Sequence, residues 1–88
     1  PVLAQSEGII FIEGHTDDRP IASSEFPSNW DLASARATEV LQFFVAEGLS
    51  KKRFRAVSYG DTQPLVPNDS EENRSKNRRV SLMIQGPR

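Results

Sequence analysis

The 88-residue sequence predicts an α+β domain whose elements follow the order strand, helix, strand, short helix, strand. Three observations predict this fold class: a short apolar run near the start, one long segment with apolar residues at helical spacing, and two later segments with alternating side chains. Because a strand-helix-strand unit makes a right-handed crossover, the first two strands are expected to be parallel.

The first strand is predicted from the apolar run Gly8-Ile9-Ile10-Phe11-Ile12-Glu13, which Gly14 is expected to end. Such a run is typical of a strand at the centre of a sheet. The segment 16–28 is rich in Asp, Ser and Pro, which predicts a loop of about a dozen residues. Loops of that length are often functional.

The main helix is predicted from Asn29 to about Glu47. Ser28 is a suitable N-cap, Asp31 lies in the first turn, and Gly48 follows where a left-handed C-cap residue is expected. The apolar positions recur at helical spacing. They are Trp30, Ala33, Ala37, Val40, Leu41 and Phe44.

Three elements are predicted for the rest of the chain. Alternating side chains over 54–59 indicate the second strand, and those over 80–85 indicate the last one. Between them, Pro64 and Pro67 indicate an irregular stretch, and Asp69 or Ser70 is expected to cap a short polar helix that ends near Lys76.

The amino-acid composition of the chain restricts the kinds of ligand and metal site that the domain can have. The chain is 36% hydrophobic and 26% charged with a net charge of −1, so it can form one core but has no overall field that would attract nucleic acid or an acidic membrane. It has no cysteine, which excludes disulfides and thiolate metal sites. The longest apolar run, Ile9 to Ile12, is far shorter than the roughly 20 residues of a membrane helix.

The start of the chain, Pro1-Val2-Leu3-Ala4, has neither a methionine nor the basic region of a signal peptide. We therefore interpret the sequence as a fragment of a longer protein. Residues 1–88 are expected to form a single domain, with 1–7 as an N-terminal remnant.

The polar residues of the sequence allow several chemical interpretations. His15, Asp17 and Asp18 follow the first strand, but a single histidine with two aspartates is a weak metal site, and His15 is better explained as holding the turn. Neither a nucleophile elbow nor a clear pair of catalytic carboxylates is present. The basic runs 51–55 and 74–79 are balanced by acidic residues, so a solvated surface explains them better than nucleic acid.

Arg36 lies one helical step from the apolar face, between Ala35 and Ala37. Its small neighbours leave room for a ligand to approach the guanidinium. From the residues alone, a ligand-binding arginine and an ordinary surface arginine are equally good interpretations.

Three motifs resemble the signature of OmpA-like peptidoglycan-binding domains and follow that family's order. They are Gly14-His15-Thr16-Asp17, the segment Asn29-Trp30-Asp31-Leu32-Ala33-Ser34-Ala35-Arg36-Ala37, and Asn77-Arg78-Arg79-Val80. The resemblance covers about Ile9 to Ile84. It implies a two-layer α+β sandwich with a mixed sheet and the helices on one face.

Within that family the sequence is most similar to the anchoring domains of flagellar stator proteins of the MotB and PomB type. The segments that carry this similarity are Asp17-Asp18-Arg19-Pro20-Ile21 and Phe26-Pro27-Ser28-Asn29-Trp30-Asp31-Leu32. Two positions depart from the pattern: Ala33 stands where a serine is usual, and Asn73 stands where stator proteins tend to have glycine.

The resemblance implies that Asp17 and Arg36 bind the diaminopimelate of the peptidoglycan stem peptide. The chemistry agrees, because a carboxylate can accept hydrogen bonds from the ligand ammonium while a guanidinium binds the ligand carboxylate through two parallel bonds. Asn29 and the backbone N–H groups at the helix start offer further donors. The family pattern adds pocket-lining residues, which are Thr16, Leu32, Asn77 and Arg78.

The resemblance also implies the setting in which the domain works. It implies a non-enzymatic periplasmic domain of an inner-membrane protein, with peptidoglycan as ligand, no cofactor and no nucleic acid. It further implies a homodimer and a MotA- or PomA-like membrane partner, reached through an N-terminal helix that this sequence lacks. An OmpA, Pal or secretion-system tether with the same peptidoglycan site is the alternative.

In OmpA-like domains a strand and a helix usually precede the first strand seen here. Without them, one side of the sheet is expected to be uncovered, a liability that dimerisation or another chain would meet.

Overall fold

The computed structural model describes residues 8–21 and 23–86, and its elements follow the predicted order. The predicted N-terminal remnant, 1–7, lies outside the described residues. A short 3₁₀ turn at Lys51–Arg53, which the sequence pattern did not predict, precedes the second strand. The elements are β1 (Ile9–His15), α1 (Asn29–Ala46), β2 (Phe54–Ser58), α2 (Glu71–Asn77) and β3 (Arg79–Gln85).

The sheet has three strands in the order β2-β1-β3. β1 is parallel to β2, with Ile10 opposite Phe54, and antiparallel to β3, with Ile10 opposite Ile84. The predicted parallel pair and mixed sheet are both confirmed. Helix α1 packs against β1 and β2, which confirms the α+β fold class.

The core lies between α1 and one face of the sheet. Ile10, Ile12, Ala37 and Phe54 are buried there, because alternate β1 side chains point to the same face. The rings of Phe44 and Phe54 stack with centroids 5.9 Å apart. Partly buried residues complete the cluster, namely Val40, Leu41, Val45, Leu49 and Val80.

Gly14 does not end β1, so that prediction is wrong: the strand continues to His15. A Cβ atom on Gly14 would lie 2.1 Å from the carbonyl oxygen of Ala33. The glycine is therefore required because the backbone of α1 approaches β1 closely at this point. That approach places the first turns of α1 beside the end of β1.

The predicted helix caps are confirmed. The Ser28 hydroxyl accepts a hydrogen bond from the Asp31 N–H at 3.3 Å, and the Ser70 hydroxyl accepts one from the Asn73 N–H at 3.1 Å. Gly48 adopts a φ of 104° just beyond α1. Both helices thus begin at residues whose side chains satisfy otherwise unpaired backbone donors.

β3 is an edge strand with an exposed apolar surface. Leu82, Met83 and Ile84 are each more than two-fifths exposed. Within residues 8–21 and 23–86, this edge surface is left partly open to solvent. Neither α1 nor α2 has the length and hydropathy that would let it cross a membrane.

Candidate ligand-binding site

A cavity of about 380 Å³ lies where β1 ends and the following loop begins. The loop forms one wall, the first two turns of α1 form another, and Arg78 closes the cavity from the end of α2. All predicted site residues except Asn77 line it. The lining residues are Thr16, Asp17, Arg19, Pro20, Ile21, Asn29, Leu32, Arg36 and Arg78.

Asp17 is the buried anion of the cavity, with only 6% of its surface exposed. Its Oδ2 atom accepts hydrogen bonds from Arg78 Nη1 at 2.6 Å and from Arg19 Nη2 at 2.9 Å. Its Oδ1 atom accepts a hydrogen bond from the Arg19 backbone N–H at 3.0 Å. A buried carboxylate needs such compensation, because burial without partners would favour its neutral form.

Glu71 joins the same two arginines from the first turn of α2. Arg78 Nη2 donates to Glu71 Oε2 at 2.7 Å, and Arg19 Nη1 lies 3.3 Å from Glu71 Oε1. Asp17, Arg19, Glu71 and Arg78 therefore form a charge ring of two carboxylates and two guanidiniums. The ring links the end of β1 to α2 and leaves no net charge among its members.

The ring determines the ionisation of Asp17. Burial alone would raise the pKa of this carboxyl, but the hydrogen bonds from Arg19 and Arg78 outweigh burial and lower the pKa from 3.8 to about 2. The hydrogen bond from Arg78 likewise lowers the pKa of Glu71. Asp17 is therefore an anion at every physiological pH.

The lowered pKa of Asp17 predicts an acid-dependent loss of stability. A carboxyl whose pKa is lower in the folded than in the unfolded protein stabilises the fold fully above the unfolded value, and that contribution disappears as the pH falls through the folded value. Here the window runs from pH 4 to about pH 2, and the loss is about 2 kcal/mol.

Urea unfolding of wild type and of Asp17→Asn at pH 6 and pH 2 measures this contribution. Between those pH values, wild type should lose about 2 kcal/mol more unfolding free energy than Asp17→Asn. Subtracting the variant removes the titration of all other groups. Equal losses in the two proteins would show that the charge ring does not hold Asp17 as described.

Arg36 presents a guanidinium that forms no ion pair with a carboxylate of residues 8–21 or 23–86. The residue is exposed and lines the cavity, and it forms no ion pair within the described part of the chain. Asp31, one turn earlier, instead accepts a hydrogen bond from the Ser28 hydroxyl at 2.7 Å. Within the described residues Arg36 therefore pairs with no acidic neighbour on α1, and it borders the cavity.

Thr16 and Asn29 shape the cavity through contacts with the backbone of its loop. The Thr16 hydroxyl donates to the Asp17 carbonyl at 2.8 Å, and its backbone N–H donates to Gly60 at 2.8 Å. The Asn29 amide donates to the Arg19 carbonyl at 3.1 Å. These bonds hold the loop against α1, so both residues position Asp17 and Arg19 as well as lining the cavity.

The structure does not bring Asn77 to the cavity wall, which corrects the expectation that it lines the pocket. Asn77 is fully buried, and its Oδ1 atom accepts hydrogen bonds from the N–H groups of Leu65 and Val66 at 2.8 and 3.1 Å. Its Nδ2 atom donates to the Val66 carbonyl and to Asn68 Oδ1, at 2.9 and 2.7 Å. Asn77 thus fixes the irregular 64–68 segment, because its side chain replaces regular backbone partners there.

His15 and Asp17 face different cavities. The ring of His15 stacks on Tyr59 with centroids 5.2 Å apart, and burial followed by the nearby Arg79 charge lowers its pKa. It lines a second, more open cavity together with Glu13, Tyr59, Gln63, Pro64, Arg79 and Ser81. Within residues 8–21 and 23–86, no cluster of three or more histidine or acidic side chains is placed to hold a metal ion.

Two participants in the charge ring, Arg19 and Glu71, were missed by sequence reasoning. Both are exposed charged residues, one in a loop and one in the first turn of a short polar helix, and neither position carries a periodic signal. The two glutamates in the first turn of α2 give no such signal, because the helix N-terminus by itself favours negative charge there.

Comparison with known proteins places these features among related sequences. The OmpA family model matches residues 2–78. Motility protein B of Bacillus subtilis is 45% identical over 76 residues, which cover 85% of this chain and 29% of that protein.

Two solved structures share the fold. The C-terminal domain of Helicobacter pylori MotB has a TM-score of 0.86 and 36% identity, over 93% of this chain and 62% of that one. The cell wall anchor of the type VI secretion system from Pseudomonas aeruginosa has a TM-score of 0.87 and 40% identity, over 97% of this chain and 59% of that one. The chain therefore spans less than two thirds of each of these relatives.

These findings confirm the resemblance to OmpA-like domains and to MotB. Two of these relatives are MotB motility proteins, and the third is a cell wall anchor.

Proposed function

Because the chain belongs to the OmpA family, we propose that it is a binding domain that attaches a larger protein to peptidoglycan. The ligand is the diaminopimelate of the stem peptide, and it is bound without covalent chemistry in the cavity beside β1.

The observation that carries this proposal is the pairing of opposite charges in one cavity. Asp17 is a buried and permanently ionised carboxylate, and Arg36 is a guanidinium without a carboxylate partner in the described residues. The side-chain end of diaminopimelate carries an ammonium and a carboxylate on the same carbon. One such group can contact both protein charges at once, its carboxylate at Arg36 and its ammonium at Asp17.

The geometry of each group suits its partner. A guanidinium offers two parallel N–H donors to a carboxylate. Arg36 can therefore recognise the planar geometry of the ligand carboxylate as well as its charge. Asp17 accepts hydrogen bonds from the tetrahedral ammonium. Leu32, Pro20 and Ile21 supply apolar contacts for the methylene chain between the two ends of the ligand.

The larger assembly that fits best is a flagellar stator. The similarity to motility proteins of two bacteria supports this role. The domain then lies in the periplasm as part of an inner-membrane protein, works as a homodimer, and is joined to a MotA- or PomA-like subunit through a membrane helix outside this sequence.

A second candidate is an envelope tether of a secretion system, which the similarity to the type VI cell wall anchor favours. Both candidates use the same peptidoglycan site. They differ in the protein that the domain holds in place, so the ligand-binding chemistry is common to both.

Co-sedimentation with purified peptidoglycan tests the proposed function. The folded domain should be recovered in the pellet without any added cofactor, and soluble wall fragments should not accumulate with time. Asp17→Asn combined with Arg36→Ala should leave the domain in the supernatant. The matched control is Asp61→Asn combined with Arg55→Ala, which removes the same charges outside the cavity and should still sediment. A folded wild-type domain that stays in the supernatant would refute the proposal.

A further inference from the structure

The Asp17 carboxylate is already occupied in the free domain. Its Oδ2 atom accepts two guanidinium hydrogen bonds, from Arg19 and Arg78, and its Oδ1 atom accepts the Arg19 backbone N–H. A carboxylate has about four acceptor positions, so only one, on Oδ1, is left. A ligand ammonium that enters the cavity therefore encounters a carboxylate that already forms ion pairs with two guanidiniums.

The charge count opposes simple addition of a third cation. The ring of Asp17, Arg19, Glu71 and Arg78 has no net charge. Adding a ligand ammonium would leave one uncompensated positive charge beside two guanidiniums, which like-charge repulsion disfavours. Releasing one guanidinium restores the balance, so one arginine must leave Asp17 when an ammonium binds.

The two arginines are not equally easy to release. The Arg78 side chain is 28% exposed and makes the shorter bond to Asp17, at 2.6 Å, as well as a bond to Glu71 at 2.7 Å. The Arg19 side chain is 54% exposed, its bond to Asp17 is 2.9 Å long, and its contact with Glu71 is 3.3 Å long. Arg19 is therefore the arginine that can move into solvent at the smaller cost, while Arg78 stays as a fixed part of the site.

We infer that the Arg19 guanidinium occupies the place of the ligand ammonium on Asp17 and is displaced when a zwitterionic ligand binds. This inference rests on the proposed function and makes Arg19 a specificity-determining residue. A ligand with a carboxylate alone can reach Arg36 but brings nothing to replace Arg19. A ligand with both charges replaces Arg19 with its ammonium and fills both halves of the site.

The test uses two synthetic stem tripeptides, one ending in meso-diaminopimelate and one ending in 2-aminopimelate, which keeps the side-chain carboxylate but lacks the second ammonium. Wild type, Arg19→Gln and the control Arg55→Gln are titrated with each peptide by calorimetry. Arg55 is exposed and lies outside the cavity, so the control removes the same charge elsewhere.

Removing the Arg19 guanidinium should raise the affinity only for the diaminopimelate peptide, whose ammonium would replace that guanidinium on Asp17. Arg19→Gln should bind the diaminopimelate peptide about two- to fivefold more tightly than wild type, a gain of the size expected for one exposed ion pair. Its affinity for the 2-aminopimelate peptide should stay the same or fall, because an uncovered Asp17 repels a carboxylate. Arg55→Gln should match wild type with both peptides.

Two results would overturn the inference. Equal or weaker binding of the diaminopimelate peptide by Arg19→Gln would mean that Arg19 does not compete with the ligand. An equal increase in affinity for both peptides would mean that Arg19 blocks the cavity sterically and does not distinguish the two ligands by their charge. If folded wild type binds neither peptide and no peptidoglycan, the proposed function fails and the inference fails with it, an outcome separate from the first two.

Discussion

Arg36→Ala should lower the affinity for a diaminopimelate-containing stem peptide by at least about tenfold, because the proposed contact with the ligand carboxylate is lost and removing one partner of a hydrogen-bonded charge pair costs about 2–5 kcal/mol. The fold should persist. Arg36 is exposed, whereas the neighbouring Ala33 and Ala37 are the residues that α1 buries against the sheet. Isothermal titration together with thermal melts measures both quantities.

Arg36→Lys separates charge from geometry. Lysine keeps the positive charge but cannot form two parallel bonds with a carboxylate, so this variant should also bind more weakly than wild type. Arg55→Ala serves as the control for a lost surface arginine and should bind like wild type. Unchanged affinity in Arg36→Ala would refute the assignment of this arginine to the site, and an unfolded Arg36→Ala would show that the arginine is structural.

Asn77→Ala should lower the unfolding free energy by about 3 kcal/mol or more, because it removes every hydrogen bond that the fully buried Asn77 side chain makes to the 64–68 segment. Asn77 is fully buried and makes four hydrogen bonds there, two of them to the N–H groups of Leu65 and Val66. Urea unfolding measures the loss. Asn73→Ala is the control on α2, because within the described part of the chain its side chain bonds to the exposed Asp69 alone.

The isosteric variant Asn77→Asp tests whether this residue also contacts the ligand, although the buried carboxylate should itself destabilise the fold. Aspartate keeps the acceptor for Leu65 and Val66 but loses the amide donor to Val66 and Asn68. The folded fraction of this variant should bind the diaminopimelate peptide with the same affinity as wild type, because Asn77 does not line the cavity. A stable variant that loses binding would return Asn77 to the ligand site.

Much of the fold could be predicted because its signals are local. Ser28 and Ser70 cap the helices that follow them, and Gly48 adopts a left-handed φ where α1 ends. The end of β1 could not be predicted in this way. Gly14 looks like a turn residue in sequence, but its role depends on the Ala33 backbone, which lies almost twenty residues further along the chain.

The candidate site was partly predictable for the same reason. Asp17 and Arg36 were found through motifs, and each lies on or beside an element with a clear local signal. Arg19 and Glu71 were not found, because an ion pair between a loop and a distant helix leaves no periodic pattern. Asn77 was expected at the pocket from the family pattern, but its side chain bonds to the 64–68 segment, a contact that no local signal shows.

We propose above that Arg36 binds the carboxylate of one ligand group and that Asp17 binds the ammonium of the same group. A double-mutant cycle between protein and ligand tests it most directly, with wild type and Arg36→Ala each titrated with the diaminopimelate peptide and with a peptide in which lysine replaces diaminopimelate. Lysine keeps the ammonium and lacks the carboxylate. Arg36→Ala should cost at least about tenfold with the first peptide and less than about twofold with the second, because the lysine peptide has no group for the guanidinium to bind. Equal costs with both peptides would contradict the claim, since Arg36 would then act on something other than the ligand carboxylate.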